Sequence, residues 1–409
     1  MIENLLTAMR EAITLVKKHP AREVTLIHHN DTDGLTSGAI LLSAFEEAGY
    51  GTTRYSLEKP YPQVLEVLLS RQDQIIIFAD FAGKIAPLIS EINRRKNLVL
   101  ILDHHPAEPV DDPTVLNLDG ALFGLRGDRD ISASATCYLF ANELLESIGL
   151  TARPLAHLGA LGAVGDGFYV DGALSGVNRE VMKVAVEQGL MGVTATPDGE
   201  AYTMVIGGRE HPSAEICEAL DTVGGVGYYS DGASRGVQIC RYGLDPANEA
   251  YIQELIRQKD RIFEKETERL KKEIQTTEHL QWFDVEDRFE PMGIKMIGVF
   301  CNDIKDSDFL DETRYLAGFQ HVPDKVPGFG DIAFNATKIS MRVSKYLTDR
   351  IRAGEKPGLD TFLPEATSHL GGFADACHGL SAATTVGIGE EKLLIEEIES
   401  VLNNKERKQ

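Results

Sequence analysis

A chain of 409 residues has room for two or three domains, each large enough to bury its own core. Hydrophobic content of 43% and charged content of 25% are those of an ordinary globular protein, and there is no repeat or low-complexity segment. Lys plus Arg number 41 against 63 Asp plus Glu, and the resulting charge of −22 works against loose binding to duplex nucleic acid along a broad face while leaving room for a small basic groove. Five cysteines without a C-x-x-C pair make a poor disulfide framework, so a reducing cytoplasm is the expected setting. The N-terminus lacks a signal-peptide profile and no apolar run approaches a membrane span, so no membrane partner is expected.

In chain order, residues 2–19 read as an amphipathic helix with Leu5, Met9, Ile13 and Val16 on one face. A strand at 24–28 runs into His29-Asn30-Asp31-Thr32-Asp33-Gly34, and a helix is predicted over 35–48, directly after Gly34. Its N-terminus would offer N–H groups to a phosphate. The spacing of Asp31, Asp33 and Gly34 invites an EF-hand reading, but the first ligand position falls on His29 and the closing glutamate position on Ile40, which excludes it. Strand 75–79 ends at Asp80, a helix follows over 84–95, and strand 98–102 ends at Asp103-His104-His105. A further strand at 115–118 and a helix at 132–147 continue the alternation. Glycines 159, 162, 165 and 167 lack the strand-then-turn context of a dinucleotide fingerprint; they let a helix pack closely and place Asp166 at its end. His157, on the same segment, reads as a satisfied core or helix-surface histidine rather than a ligand.

Residues 168–245 are the least legible, with a helix over 177–188 and glycine turns at 207–208 and 224–227. After Asp245-Pro246, helical periodicity with alternating charge runs over 247–280, too narrow in its apolar stripe and too irregular for a coiled coil, and so reads as a connecting helix roughly 50 Å long. Strands are predicted at 293–300 and 336–343, with a helix at 307–317 between them. Near the end, Gly371-Gly372 marks either a tight turn or a backbone that approaches a ligand closely.

Four segments thus aim Asp or His at what would be one rim, since ligands bind outside the carboxyl ends of strands in open α/β sheets. Carboxylates so crowded repel one another unless a cation sits among them. Oxygen donors with a few imidazoles suit Mn²⁺ or Mg²⁺, and the absence of nearby thiolates argues against a closed zinc site. Two cations roughly 3.5–4 Å apart form the usual clamp for phosphoryl chemistry, so the residues alone point to a metal-dependent phosphoesterase.

The motif set resembles the DHH phosphoesterase superfamily of RecJ-type nucleases, oligoribonucleases, cyclic-dinucleotide hydrolases and family II pyrophosphatases. The matching pieces are His29-Asn-Asp31-Thr-Asp33-Gly34, Asp80, Asp103-His104-His105 and Gly165-Asp166, in that order. The resemblance implies an α/β fold: a doubly wound, mostly parallel sheet joined by a long helix to a smaller α/β C-terminal domain, with the active site in the cleft between them. The boundaries expected are 1–190 for the catalytic domain, 191–246 for an extension of it, 247–285 for the connecting helix and 286–409 for a substrate-binding domain. It further implies that His29, Asp31 and Asp80 hold one Mn²⁺ and that Asp33, Asp80, His104 and Asp166 hold a second, with Asp80 bridging and Mg²⁺ as an alternative ion. His105 would contact the phosphoryl oxygens, and Asp103 would orient a histidine. His28 points to the opposite face of the strand and stays outside the set.

In the C-terminal domain the family's substrate-holding motif matches Gly371, Gly372, Asp375 and Ala376. Phe373 stands where that motif usually has histidine, leaving the phosphate contact to His369 or His378, or a stacking role to Phe373. Arg342, in Ser340-Met341-Arg342, is similar to a family arginine that would hold a phosphate; an ordinary surface arginine is the other reading. The activity implied is hydrolysis of single-stranded nucleic acid or short oligonucleotides from one end. The alternatives are a hydrolase of cyclic or linear dinucleotides, which the acidity favours, and a scaffold that kept the fold and lost activity, against which the intact Asp31, Asp33, Asp80, His104 and Asp166 speak.

Overall fold

The computed structural model describes residues 1–374 and 377–406. The chain divides into two units: Met1–Glu254 with Pro327–Gly330, and Leu255–Val326 with the residues from Asp331 onward.

In the first unit, α1 (Ile2–Lys18) buries Leu5, Met9, Ile13 and Val16. Then follow β1 (Glu23–His28), α2 (Thr32–Glu47), β2 (Gly51–Ser56), α3 (Pro62–Leu69), β3 (Ile75–Ala79), α4 (Ala86–Asn93), β4 (Leu98–Leu102) and β5 (Val115–Asn117). The five strands pair in parallel in the order β2-β1-β3-β4-β5. The chain leaves β1 toward β2 on one side and returns to β3 on the other, so the topological switch point lies between β1 and β3. Every residue of β3 and β4 is buried, as parallel strands covered on both faces require. Strand β2 and helix α3 have no counterpart in the sequence reading; β2 (GTTRYS) carries no apolar run to announce it.

Helices α5 (Ala133–Glu146) and α6 (Ala156–Gly165) pack on α2. The poorly legible stretch resolves into a short hairpin, β6 (Tyr169–Val170) and β7 (Ala173–Leu174), then α7 (Gly176–Glu187) and an antiparallel sheet of β8 (Met191–Thr196), β9 (Gly199–Ile206) and β10 (Arg209–Pro212). Helix α8 (Ser213–Asp221), a π-helical turn at Thr222–Val226 and α9 (Gly232–Tyr242) complete it.

Helix α10 (Pro246–Glu273) crosses the division between the units and stops seven residues short of the predicted end, where β11 (Gln275–Thr276) and β12 (Leu280–Asp284) begin. Next come α11 (Met296–Ile304), β13 (Tyr315–His321), the two-residue strands β14 (Lys325–Val326) and β15 (Gly330–Asp331), β16 (Ala336–Arg342), α12 (Lys345–Arg352), α13 (Leu363–His369), β17 (Ser381–Gly387) and α14 (Glu391–Glu406). The second unit's sheet has the order β11-β12-β13-β16-β17, with only the β12–β13 pair parallel. Trp282, Phe319, Met341, Phe362, Leu394 and Ile398 form part of its core.

Three sequence expectations need correction. The predicted strand at 293–300 is helix α11, because Ile297, Phe300, Cys301 and Ile304 recur at helical spacing on its buried face. The predicted helix at 307–317 gives way to β13, which is buried from Tyr315 to Gln320 and pairs on both sides. Helix α2 begins at Thr32 rather than after Gly34, because the Asp31 carboxylate accepts the Gly34 N–H at 3.1 Å as its N-cap. Among the described residues, no helix is long and apolar enough to cross a membrane.

Candidate metal centre

Strand register builds the site. His28 pairs with Ala79 and Ala79 with Leu102, so the next residue of each strand, His29, Asp80 and Asp103, stands at one level of the sheet's carboxyl edge. The ladder runs one step further, with His29 N–H donating to Ala79 O (3.2 Å) and Asp80 N–H to Leu102 O (3.0 Å). Asp80 then turns with φ +68°, a left-handed conformation uncommon for a residue with a side chain. Backbone strain of this kind collects at functional sites.

Around Asp80 the other groups fall into two sets. His29, Asp31 and Asp80 converge on one side; Asp33, Asp80, His104 and Asp166 converge on the other. His29 Nδ1 lies 2.8 Å from Asp31 Oδ2 and 3.4 Å from Asp80 Oδ2. His104 Nε2 lies 3.4 Å from both Asp80 Oδ1 and Asp166 Oδ2, and 3.9 Å from Asp33 Oδ2.

Each side chain is aimed by its own element. Asp33, in the first turn of α2, is fully buried, and its two oxygens accept N–H groups at the start of α5, from Ala133 (2.8 Å) and Ser134 (2.9 Å). Burial and the neighbouring Asp80 nonetheless push its carboxyl up to about 7. Asp166 caps the C-terminus of α6. That helix approaches closely because residue 162 is glycine: a Cβ there would stand 2.1 Å from Asp33 Oδ1 and 2.2 Å from Ser134 Oγ. His104 Nδ1 donates to the Gly127 carbonyl at 2.6 Å, which leaves Nε2 facing the carboxylates. Burial opposes a positive charge on His29 and His104, yet Asp31 and Asp80 hold His29 up at about 10, and Asp80, Asp166 and Asp33 hold His104 well above its ordinary value. The field calls for positive charge at these nitrogens, from a proton or a metal.

His105 and Asp103 form a separate pair behind this. His105 Nδ1 lies 2.8 Å from Asp103 Oδ1, and Asp103 also accepts N–H groups from His104 (2.8 Å) and Gly83 (2.9 Å). Burial would raise the Asp103 carboxyl, but His105 and these donors hold it well below the usual range. Both groups come within reach of Asp80 and His104 as well.

The donor set fits divalent cations. Both carboxylate oxygens of Asp80 and His104 Nε2 are buried without a hydrogen bond, an arrangement that costs free energy unless a cation satisfies it. Oxygen donors with one imidazole on each side match Mn²⁺ or Mg²⁺.

The second unit carries the remaining predicted residues. Arg342 is largely buried, donates to Ser340 Oγ (3.1 Å) and Met341 O (2.8 Å), and has no carboxylate within ion-pair distance among the described residues. Gly371 has φ +68°, and a Cβ on Gly372 would stand 2.4 Å from Thr385 O. His378 N–H donates to Ser381 O (2.9 Å), while the His369 imidazole is engaged by Glu397 at 2.6 Å. Asp375 and Ala376 lie outside the described residues.

Sequence reasoning missed several supports. Asp221, at the end of α8, accepts the Thr32 N–H (3.0 Å), and Asn30 donates to Gly224 O (2.8 Å), so the illegible stretch buttresses the motif loop. Phe168 packs edge-on against His104 at 5.1 Å. Asp119, fully buried with its carboxyl pushed up to about 7 by burial and by Asp103, sits behind the His105 pair. No local pattern marks any of these; only Gly162, among the glycines already noted, carried a signal.

The family described as "DHH family, N-terminal domain" matches residues 23–160. An uncharacterized protein of Methanocaldococcus jannaschii is 31% identical over 170 residues, which are 40% of this chain and 37% of that protein. The crystal structure of RecJ in complex with Mn²⁺ from Thermus thermophilus shares the fold with a TM-score of 0.63 at 15% identity, over 97% of this chain and 55% of that one. This chain therefore spans about half of that RecJ. A crystal structure of exonuclease RecJ bound to manganese gives a TM-score of 0.58 at 16% identity, over 96% of this chain and 94% of that one. Residues 23–160 thus match the DHH family's N-terminal domain, and the fold of the chain is similar to that of the RecJ structures.

Proposed function

We propose that the protein is a Mn²⁺-dependent phosphodiesterase that shortens single-stranded nucleic acid or short oligonucleotides from one end. The observation that carries this is Asp80, whose two buried oxygens lack hydrogen bonds and stand between two sets of donors. His29, Asp31 and Asp80 would hold one ion, and Asp33, Asp80, His104 and Asp166 the other. When bound, such ions would supply Lewis acidity toward a phosphoryl group and lower the pKa of a bound water.

The chain's own residues do the rest. The Gly127 carbonyl keeps His104 in the tautomer that presents Nε2. Asp103 orients His105 through Nδ1, so that Nε2 is the atom that exchanges a proton with the leaving oxygen or stabilises charge on the phosphoryl group. In the second unit, the Arg342 guanidinium, with no carboxylate within ion-pair distance among the described residues, would take a substrate phosphate, and Gly371, Gly372, Asp375 and His378 are the further substrate-holding candidates. The RecJ likeness supports the exonuclease reading through the fold. The charge of −22 supports a second one, in which dinucleotides are the substrate.

The test uses purified protein, Mn²⁺ and end-labelled single strands of two to thirty nucleotides, with EDTA as control. Metal-dependent shortening of the long strands to mononucleotides is expected. Cleavage confined to dimers would favour the second reading, and no cleavage of any length by metal-loaded protein would overturn both.

A further inference from the structure

His28 ends β1, is fully buried, and is absent from the metal-facing groups. Its two ring nitrogens have opposite kinds of partner. Nδ1 lies 2.6 Å from the carbonyl oxygen of His29, which can only accept; Nε2 lies 2.9 Å from Arg54 Nη1, which can only donate. The two partners fix the ring as the neutral Nδ1–H tautomer. The slot for the ring is cut into α2, where a Cβ on Gly38 would stand 2.6 Å from His28 Cδ2.

Arg54 lies in the middle of β2, opposite Leu26 of β1, and its other arm donates to Ser234 Oγ of α9 at 3.0 Å. Among the described residues it has no carboxylate within ion-pair distance, although it is largely buried. An unpaired guanidinium costs free energy in such a place, and it polarises the donor chain it heads. That chain ends on the peptide between His29 and Asn30. The same carbonyl lies 3.4 Å from Ser56 Oγ, and a Cβ on Gly34 would stand 2.5 Å from it, so it is held from three sides.

We propose that Arg54 and His28 form a relay that sets the His29 peptide and thereby aims the His29 imidazole at the ion it would share with Asp31 and Asp80. The inference rests on the metal reading above. Both are positioning residues, since neither is a ligand, and they act on one side of the centre: His104 and Asp166 are anchored through Gly127 and α6 instead.

Calorimetric titration of the full chain with Mn²⁺ tests the relay, in wild type, Arg54→Met, His28→Phe, His28→Asn and the Arg54→Met/His28→Phe double variant. Wild type is expected to bind two ions. Arg54→Met and His28→Phe should each weaken one of them by roughly 10–100-fold and leave the other unchanged. The double variant should lose no more than the worse single, because the residues act in series. His28→Asn, whose amide replaces the Nδ1–H donor, should recover most of the loss. Two ions bound with wild-type affinity by Arg54→Met would overturn the relay. Equal weakening of both ions with a lowered melting temperature would overturn it too, as general damage to the fold. Should His28→Phe fail to fold, Arg54→Met and His28→Asn decide. If wild type itself binds no Mn²⁺, the metal reading falls and the relay with it, an outcome separable from the others because it needs no variant.

Discussion

The two five-stranded sheets of this protein gather polar groups in different ways. In the first unit's five-stranded sheet all strands run the same direction, so their carboxyl ends share one edge and the residues after β1, β3 and β4 meet there as His29, Asp80 and Asp103. In the second unit the strands alternate in direction except for β12 and β13, and no common edge forms. Its polar residues gather on a face instead: Lys338, Ser340 and Arg342 alternate along β16, with α11 pressed against Ser340 and Arg342 at Gly298. Parallel strands concentrate side chains at an edge, where cations can collect carboxylates. Antiparallel strands spread them over a face, and here α11 covers that face, with Lys338 and Ser340 buried.

If this contrast is right, breaking the edge removes chemistry and breaking the face removes substrate affinity. The largest effect is expected from Asp80→Ala, which takes the shared group from both halves of the centre. Turnover should fall by at least about 10³-fold. Metal-free protein should melt close to wild type, because the substitution relieves the crowding of a buried carboxylate while Ala keeps a Cβ at the left-handed position. A metal-free melt well below wild type would show that Asp80 serves the fold.

Gly162→Ala comes next. Its Cβ would enter the space of Asp33 Oδ1 and Ser134 Oγ, so α6 must shift, at a cost of about 1–3 kcal/mol. Chemical denaturation should show that loss, and Mn²⁺ titration should show weakened binding on the Asp33–Asp166 side. Arg342→Met should leave metal binding and stability intact and raise KM for oligonucleotides by about tenfold, the value of one charge-assisted contact. A fall in kcat with unchanged KM would break the proposed division between edge and face.

The smallest effect isolates the helix beneath the edge. His157, buried in α6, has its pKa lowered by burial to about 4. The unfolded chain titrates near 6.5 and so binds the proton that the folded chain refuses. Stability is therefore complete above pH 6.5 and declines as pH falls from 6.5 to 4, by at most about 1.4 kcal/mol per pH unit. His157→Gln should flatten this window in metal-free melts without altering Mn²⁺ affinity at pH 7.5.

The strand ends of the first unit were legible because buried parallel strands are unbroken apolar runs, as in Ile75–Ala79 and Leu98–Leu102, and the charged residues stand where the runs stop. The same reasoning misassigned residues 293–300, where a short apolar run packs equally well as a helix face. It also missed β2, whose Thr and Arg residues become a strand only by pairing with β1.

What the amino-acid order determined by itself is local: which residues carry donors, and that His29, Asp80 and Asp103 lie one step beyond an apolar strand. Which of them meet depended on register and on distant backbone. Gly127 supplies the carbonyl that turns His104, Asp221 holds the N–H of Thr32, and Arg54 reaches His28 from the neighbouring strand. Those contacts span 23 to 189 residues of sequence and rest on backbone atoms or on residues of ordinary composition. No periodicity encodes them, because they exist only once the chain has closed.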